Sequence, residues 1–155
     1  MAFVQGMTIL NSKEKKELFS QIKEQWGAEY HTEHGLLRNS EDKIYLINHT
    51  LSSVDVSRLR INSLGLYIAE WKKNSLRLSI EGAQLIGPLA TKNVVEISKE
   101  EVGRWLMGED LKTNPNYRGF AIIKCAGDYL GSGHCKEGVI LNFVGKNRRT
   151  SAMHE

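Results

Sequence analysis

The sequence predicts an α+β protein, with an N-terminal α/β block built on antiparallel hairpins and a smaller β-rich block that closes as a pseudo-barrel. Three observations predict this. Apolar residues recur at helical spacing over residues 18–26 and again over 102–106. They alternate with polar residues over 64–80. From Phe120 onward, short apolar runs are separated by glycine-containing turns. A chain of 155 residues holds one medium domain or two small ones. The boundary is placed near Thr91, giving domains 1–91 and 92–155.

The first helix opens on a capping box, Asn11 with Glu14. Leu18, Phe19, Ile22 and Trp26 then share one face, and Gly27 stops the helix. Leu36-Leu37-Arg38 and Lys43–Ile47 flank the turn Asn39-Ser40-Glu41-Asp42 and form a hairpin. A short helical piece is expected around Leu51–Leu59. Leu64, Leu66 and Ile68 alternate in one strand, and Leu76, Leu78 and Ile80 alternate in its partner across Lys72-Lys73-Asn74-Ser75. Such a hairpin buries one face and wets the other. Glu81–Leu89 makes a short helix closed by Gly87-Pro88.

The second block begins with a strand over Asn93–Ile97. A second capping box, Ser98 with Glu101, starts a helix that buries Val102, Trp105 and Leu106 and ends at Gly108-Glu109-Asp110. Thr113–Arg118 is a polar loop. Phe120–Cys125, Tyr129–His134 and Val139–Val144 form a meander. Trp105, Phe120, Tyr129 and Phe143 fall in apolar runs and are assigned to the core, whereas Tyr117 is assigned to a partly exposed loop.

Composition narrows the function. Apolar residues make up 41% of the chain and charged residues 25%, with two prolines and 14 glycines, which are globular values. No apolar run nears the roughly 20 residues of a membrane-spanning helix. The first residues carry neither the basic nor the apolar region of a secretory signal, so a cytoplasmic protein without a membrane role is expected. On that expectation Cys125 and Cys135 are free core thiols rather than a disulfide, and the glycosylation pattern Asn48-His49-Thr50 is discounted. The net charge is only +3, but from Lys112 onward seven bases face three acids. Positive potential gathered at one end is the footprint of a phosphate-binding surface.

Catalytic patterns are lacking. His31 and His34 stand three apart in a turn-like segment without further ligands, and Cys125, His134 and Cys135 form neither a closed zinc site nor a triad. Asn114-Pro115-Asn116-Tyr117 resembles the Asn-Pro-Pro-Tyr box of amino-methylating transferases. A glycine-rich cofactor loop and parallel strands upstream are missing, so it is taken as an Asn-Pro turn with an aromatic anchor. Neither a phosphate-cradling loop nor a dinucleotide fingerprint occurs. No cofactor and no metal are expected. The positive signal is Lys146, Arg148 and Arg149 after the last strand, extended by Lys112, Arg118 and Lys136, with Tyr117 available to stack on a base.

The segment Val94–Asp110 resembles the opening strand and helix of a PUA domain, a small pseudo-barrel that binds structured RNA. Phe120–Lys124, Tyr129-Leu130-Gly131-Ser132-Gly133 and Gly138–Phe143 resemble its later strands. The stretch Tyr117–Arg149 is similar to the PUA-like tail of Sun/Fmu (RsmF-type) RNA cytosine-5 methyltransferases. The N-terminal helix and hairpins, with Ser63-Leu64-Gly65-Leu66 and Leu76-Arg77-Leu78-Ser79, resemble the pre-PUA domain of Nip-type ribosome-biogenesis factors. The resemblance implies a non-enzymatic RNA-binding protein of ribosome biogenesis or rRNA or tRNA modification. The methyltransferases carry a catalytic cysteine after a proline; here Pro88 and Pro115 precede Leu89 and Asn116, so that step is absent. The competing expectation is an adaptor whose N-terminal domain docks an RNA methyltransferase or a pre-ribosomal assembly factor.

Overall fold

The computed structural model describes residues 3–4, 6–47, 65–145 and 149. The expected helix near Leu51–Leu59 and the Asn48-His49-Thr50 pattern lie outside them. Two sheets form the frame. The first has six strands in sequence order, each pair antiparallel: β1 (Phe3–Val4), β2 (Met7–Ile9), β3 (Leu36–Arg38), β4 (Lys43–Leu46), β5 (Leu66–Lys72) and β6 (Ser75–Leu78). The second curls into an open half-barrel. It has the order β7 (Val94–Glu96), β9 (Gly119–Cys125), β10 (Asp128–Lys136), β11 (Val139–Asn142) and β8 (Leu111–Lys112). β7 runs parallel to β9 and the remaining pairs are antiparallel. The architecture is the expected α+β one, consistent with a pre-PUA part and a PUA-like barrel.

Helix α1 (Ser12–Trp26) begins as its sequence dictates. The Asn11 side chain accepts from the Glu14 amide at 2.8 Å, and the Glu14 carboxylate accepts from the Asn11 amide at 3.1 Å. Such a box satisfies two otherwise orphaned amides. Gly27 closes the helix in the left-handed region at φ 65°. Leu18, Ile22 and Trp26 bury against Leu36, Ile44, Ala69, Leu76 and Leu78 of the first sheet. The two-residue turn Lys73-Asn74 joins β5 to β6, with Asn74 at φ 53°.

The expected alternation along β5 breaks at a bulge. Ile44 pairs with Ala69, but the next residue, Tyr45, pairs with Tyr67, so Ile68 is the extra residue. A bulge reverses the face that the following side chains take. Ile68 is buried as expected, whereas Leu66, which shares its parity, is exposed. The backbone of Ile68 in turn receives α2 (Ile80–Ile86). A Cβ on Gly82 would sit 1.9 Å from the Ile68 carbonyl oxygen, so only glycine permits the approach. A 3-10 turn, Gly87–Leu89, follows.

In the second half, Ser98 and Glu101 form the predicted capping box of α3 (Lys99–Leu106). Trp105 is fully buried and donates its indole N–H to the Leu130 carbonyl at 2.8 Å. β1, β2 and β8 were not legible in the sequence; each is only two or three residues long. Cys125 and Cys135 are buried free thiols. They sit at opposite ends of the β9–β10 hairpin, since Cys125 pairs with Asp128 and Cys135 with Gly119.

The two halves share a seam. Ile122 of β9 belongs to the core of the first half, and the Trp26 indole donates to the Phe120 carbonyl at 3.1 Å. β6 ends its sheet, so its outward backbone groups have no neighbouring strand. Side chains take their place. The Gln25 amide bonds both the N–H and the C=O of Leu76, at 2.7 and 2.9 Å. The Ser132 hydroxyl bonds both groups of Leu78, at 2.9 and 3.0 Å.

Candidate nucleic-acid interface

Strand register decides which predicted cations meet. Val139 of β11 pairs with Lys112 of β8 on one side and with Lys136 of β10 on the other. Directly paired residues share a face, so Lys112, Val139 and Lys136 form one row across three strands, about 10 Å from end to end. Gly119 pairs with Cys135, which brings Arg118 to the same end of the sheet. All three basic residues are exposed. Among the described residues, no carboxylate lies within ion-pair distance of any of them. The loop between them is an Asn-Pro turn: the Asn114 side chain accepts from the Asn116 amide at 2.9 Å, and its carbonyl accepts from the Tyr117 amide at 3.1 Å.

Arg149 is elsewhere. Its Nε donates to the Val144 carbonyl at 3.0 Å, and its side chain lies over Gly108. That places it beyond the Asn142 end of β11, away from the Lys112–Lys136 row. Lys146 and Arg148 lie outside the described residues. Tyr117 is half-buried and packs against the second core. It lines a shallow groove of about 340 Å³ with Lys92, Lys124 and Tyr129. The predicted strip is therefore a cluster of three cations, with Arg149 and Tyr117 on separate parts of the surface.

Phe143 corrects a sequence expectation. It was assigned to the core, but it is 41% exposed, as are its strand neighbours Val139 at 36% and Leu141 at 39%. The core face of β11 is carried by Ile140 alone, because Asn142 turns its amide to the end of α3. The Asn142 side chain donates to the carbonyls of Trp105 and Glu109 at 2.8 Å and accepts from the Val144 amide at 2.8 Å.

The exposed side of Phe143 opens on a larger cleft between the two sheets, about 490 Å³ in volume. Lys43, Tyr45, Tyr67, Arg77, Glu81 and Phe143 are among its walls. The Arg77 guanidinium lies over the Phe143 ring at 4.5 Å and bonds the Glu70 carboxylate at 2.6 Å. The Tyr45 and Tyr67 rings are 5.6 Å apart, and the Lys43 ammonium is 5.6 Å from the Tyr67 ring centre. Burial pushes the Tyr67 hydroxyl above its ordinary pKa. Sequence reasoning missed this cleft. Its one usable signal was the alternation Lys43, Tyr45 on the polar face of the first hairpin.

No metal-ligating cluster occurs among the described residues. His31 bonds Glu33 at 2.9 Å, and His134 stacks edge-on against Phe120 at 5.0 Å. No described helix is long and apolar enough to cross a membrane.

Comparison with known proteins fits the architecture. The family model for the methyltransferase RsmF PUA domain matches residues 92–150. The ribosomal RNA small subunit methyltransferase F of Aeromonas salmonicida (strain A449) is 30% identical over 125 residues, covering 80% of this chain and 25% of the relative. The protein of the same name from Vibrio parahaemolyticus serotype O3:K6 is 26% identical over 129 residues, covering 79% and 27%. The chain thus spans about a quarter of the length of the curated relatives it matches. Its C-terminal part is a PUA-like domain similar to the one carried by the RsmF-type methyltransferases.

Proposed function

We propose that this chain binds structured RNA without catalysing a reaction, and that it acts in the cytoplasm in ribosome biogenesis or in rRNA or tRNA modification. A pre-PUA-like domain, 1–91, supports a PUA-like RNA-binding domain, 92–155. Lys112, Arg118 and Lys136 neutralise phosphates at one end of the half-barrel; Arg149, beyond the other end of β11, is a separate phosphate contact, and Lys146 and Arg148 add charge to the interface. Tyr117, half-buried in the wall of the smaller groove, is available to a base there. The observation that carries the reading is the convergence at one end of the half-barrel of three cations, from separate segments, that pair with no carboxylate among the described residues. The match to an RsmF PUA domain supports RNA as the polyanion. An RNA methyltransferase or a pre-ribosomal factor is the protein partner this family likeness suggests.

The test is a salt titration of binding to a structured RNA. Each phosphate contact contributes about 0.9 to the slope of log K against log salt on a duplex. Lys112→Ala with Lys136→Ala should therefore flatten the slope by about 1.8 and weaken binding to all sequences alike. Equal slopes for the wild type and the double variant would remove these residues from the interface.

A further inference from the structure

The cleft between the two sheets is built unlike the rest of the seam. Elsewhere the halves meet through apolar packing and paired backbone groups. Here they leave aromatic faces open and hold cations beside them. The bulge at Ile68 causes this, because it sets Tyr67 opposite Tyr45 on the outer face of the first sheet. The same face carries Lys43, Glu70 and Arg77 as one cross-strand row. Phe143 comes from the other half and meets that row through the Arg77 guanidinium.

We infer that this cleft takes an unpaired nucleotide of the bound RNA, with its base against the surface formed by Tyr45, Tyr67, Phe143 and the Arg77 guanidinium and its phosphate at Lys43. The inference rests on the RNA-binding reading above and names what a second part of the surface adds to it. Bases unstacked from RNA pack on aromatic rings and on guanidinium planes. Both kinds of surface are present, and Glu70 fixes the plane of Arg77 before any ligand arrives. A volume of about 490 Å³ is within the range of small-ligand clefts. The wall carries Lys43 and Arg77 beside Glu81; Arg77 is already bonded to Glu70, and Lys43 has Glu41 only at 3.9 Å, so the phosphate contact falls to Lys43. Among the described residues, Lys112 and Lys136 lie over no aromatic ring. That row therefore grips backbone, and the cleft supplies selectivity for single-stranded nucleotides.

The experiment uses the full chain and two RNAs, one a blunt hairpin and the other the same hairpin with a three-nucleotide single-stranded extension. The wild type should bind the extended RNA about tenfold more tightly. Tyr45→Ala and Phe143→Leu should each lose most of that advantage, with the blunt hairpin as the internal reference. Phe143→Leu keeps the apolar volume and removes only the ring, so it remains informative if a truncation to alanine fails to fold. Tyr45→Phe keeps the ring and should keep the preference. Lys112→Ala with Lys136→Ala should weaken both RNAs equally. If the wild type binds both RNAs equally, or if the cleft variants retain the preference, the inference is overturned while the phosphate row stands. If the wild type binds neither RNA, the RNA-binding reading falls with it.

Discussion

Replacing Ser132 with alanine tests whether the two halves fold as one unit. Ser132 is 3% exposed and lies in the second sheet, yet both of its hydrogen bonds reach Leu78 in the first. The backbone groups of Leu78 point away from β5, from an end strand with no further neighbour. Removing the hydroxyl therefore leaves a buried N–H and a buried C=O without this partner. Each such group costs about 1–3 kcal/mol, with the carbonyl at the low end because it has a second lone pair. The hydroxyl is too small to leave a cavity of consequence, so the total loss is about 2–4 kcal/mol. For a chain of this size that corresponds to a melting shift of about 4–16 °C. The assay is urea denaturation of the wild type and Ser132→Ala. The expected result is a lower midpoint with one transition and an unchanged m-value. A loss below about 0.5 kcal/mol, the size of an ordinary surface substitution, would refute the argument. Two resolved transitions would show that the halves unfold separately.

Other perturbations separate local causes. Gly82→Ala places a Cβ against the Ile68 carbonyl and should cost about 3 kcal/mol, measured by the same denaturation. Gly103→Ala meets nothing within 4 Å inside α3 and should instead stabilise by about 0.5–1 kcal/mol. Asn142→Ala breaks two bonds between β11 and the end of α3 and one local bond from the Val144 amide, and should cost about 2 kcal/mol. Burial raises the pKa of the Cys135 thiol. The unfolded chain then releases this proton first, so the stability contribution is complete below the ordinary thiol range. It is lost as pH climbs through the raised value. Between pH 7 and 9.5 the wild type should lose more stability than Cys135→Ala does, and equal losses would place the effect on other groups.

The long elements were legible because several signals agreed on each. α1 and α3 each carry a capping box, an apolar stripe and a stop at or shortly after the last turn, and the structure shows both boxes closed. The hairpin at residues 36–47 was marked by its turn, where Asn39 accepts from the amides of Glu41 and Lys43 at 2.9 Å. β8 lies between the expected helix end at Asp110 and the expected loop from Thr113, and two residues cannot show a period. Its existence depends on Leu111 pairing with Ile140, a contact between distant segments. The bulge in β5 was illegible for a related reason. Leu64, Leu66 and Ile68 alternate without interruption in the sequence, and the insertion of Ile68 appears only against the register of β4.

The same limit applies to the placement of the candidate site residues. Counting charge along the chain identified the basic C-terminal region but treated it as a continuous strip. Folding divides it by register: Lys112, Arg118 and Lys136 converge because β8, β10 and β9 all present one end toward the Glu137-Gly138 turn. Arg149 follows β11 past its other end and is anchored on Val144. Alternation in β11 also has two solutions, with Val139, Leu141 and Phe143 inward or outward. Hydrophobicity favours the inward one. The polar Asn142 decides for the outward one, because its amide is needed by two carbonyls at the end of α3, those of Trp105 and Glu109, and cannot reach them if β11 is turned over. One asparagine thus exposes three apolar residues, and the most C-terminal of them, Phe143, becomes a wall of the cleft.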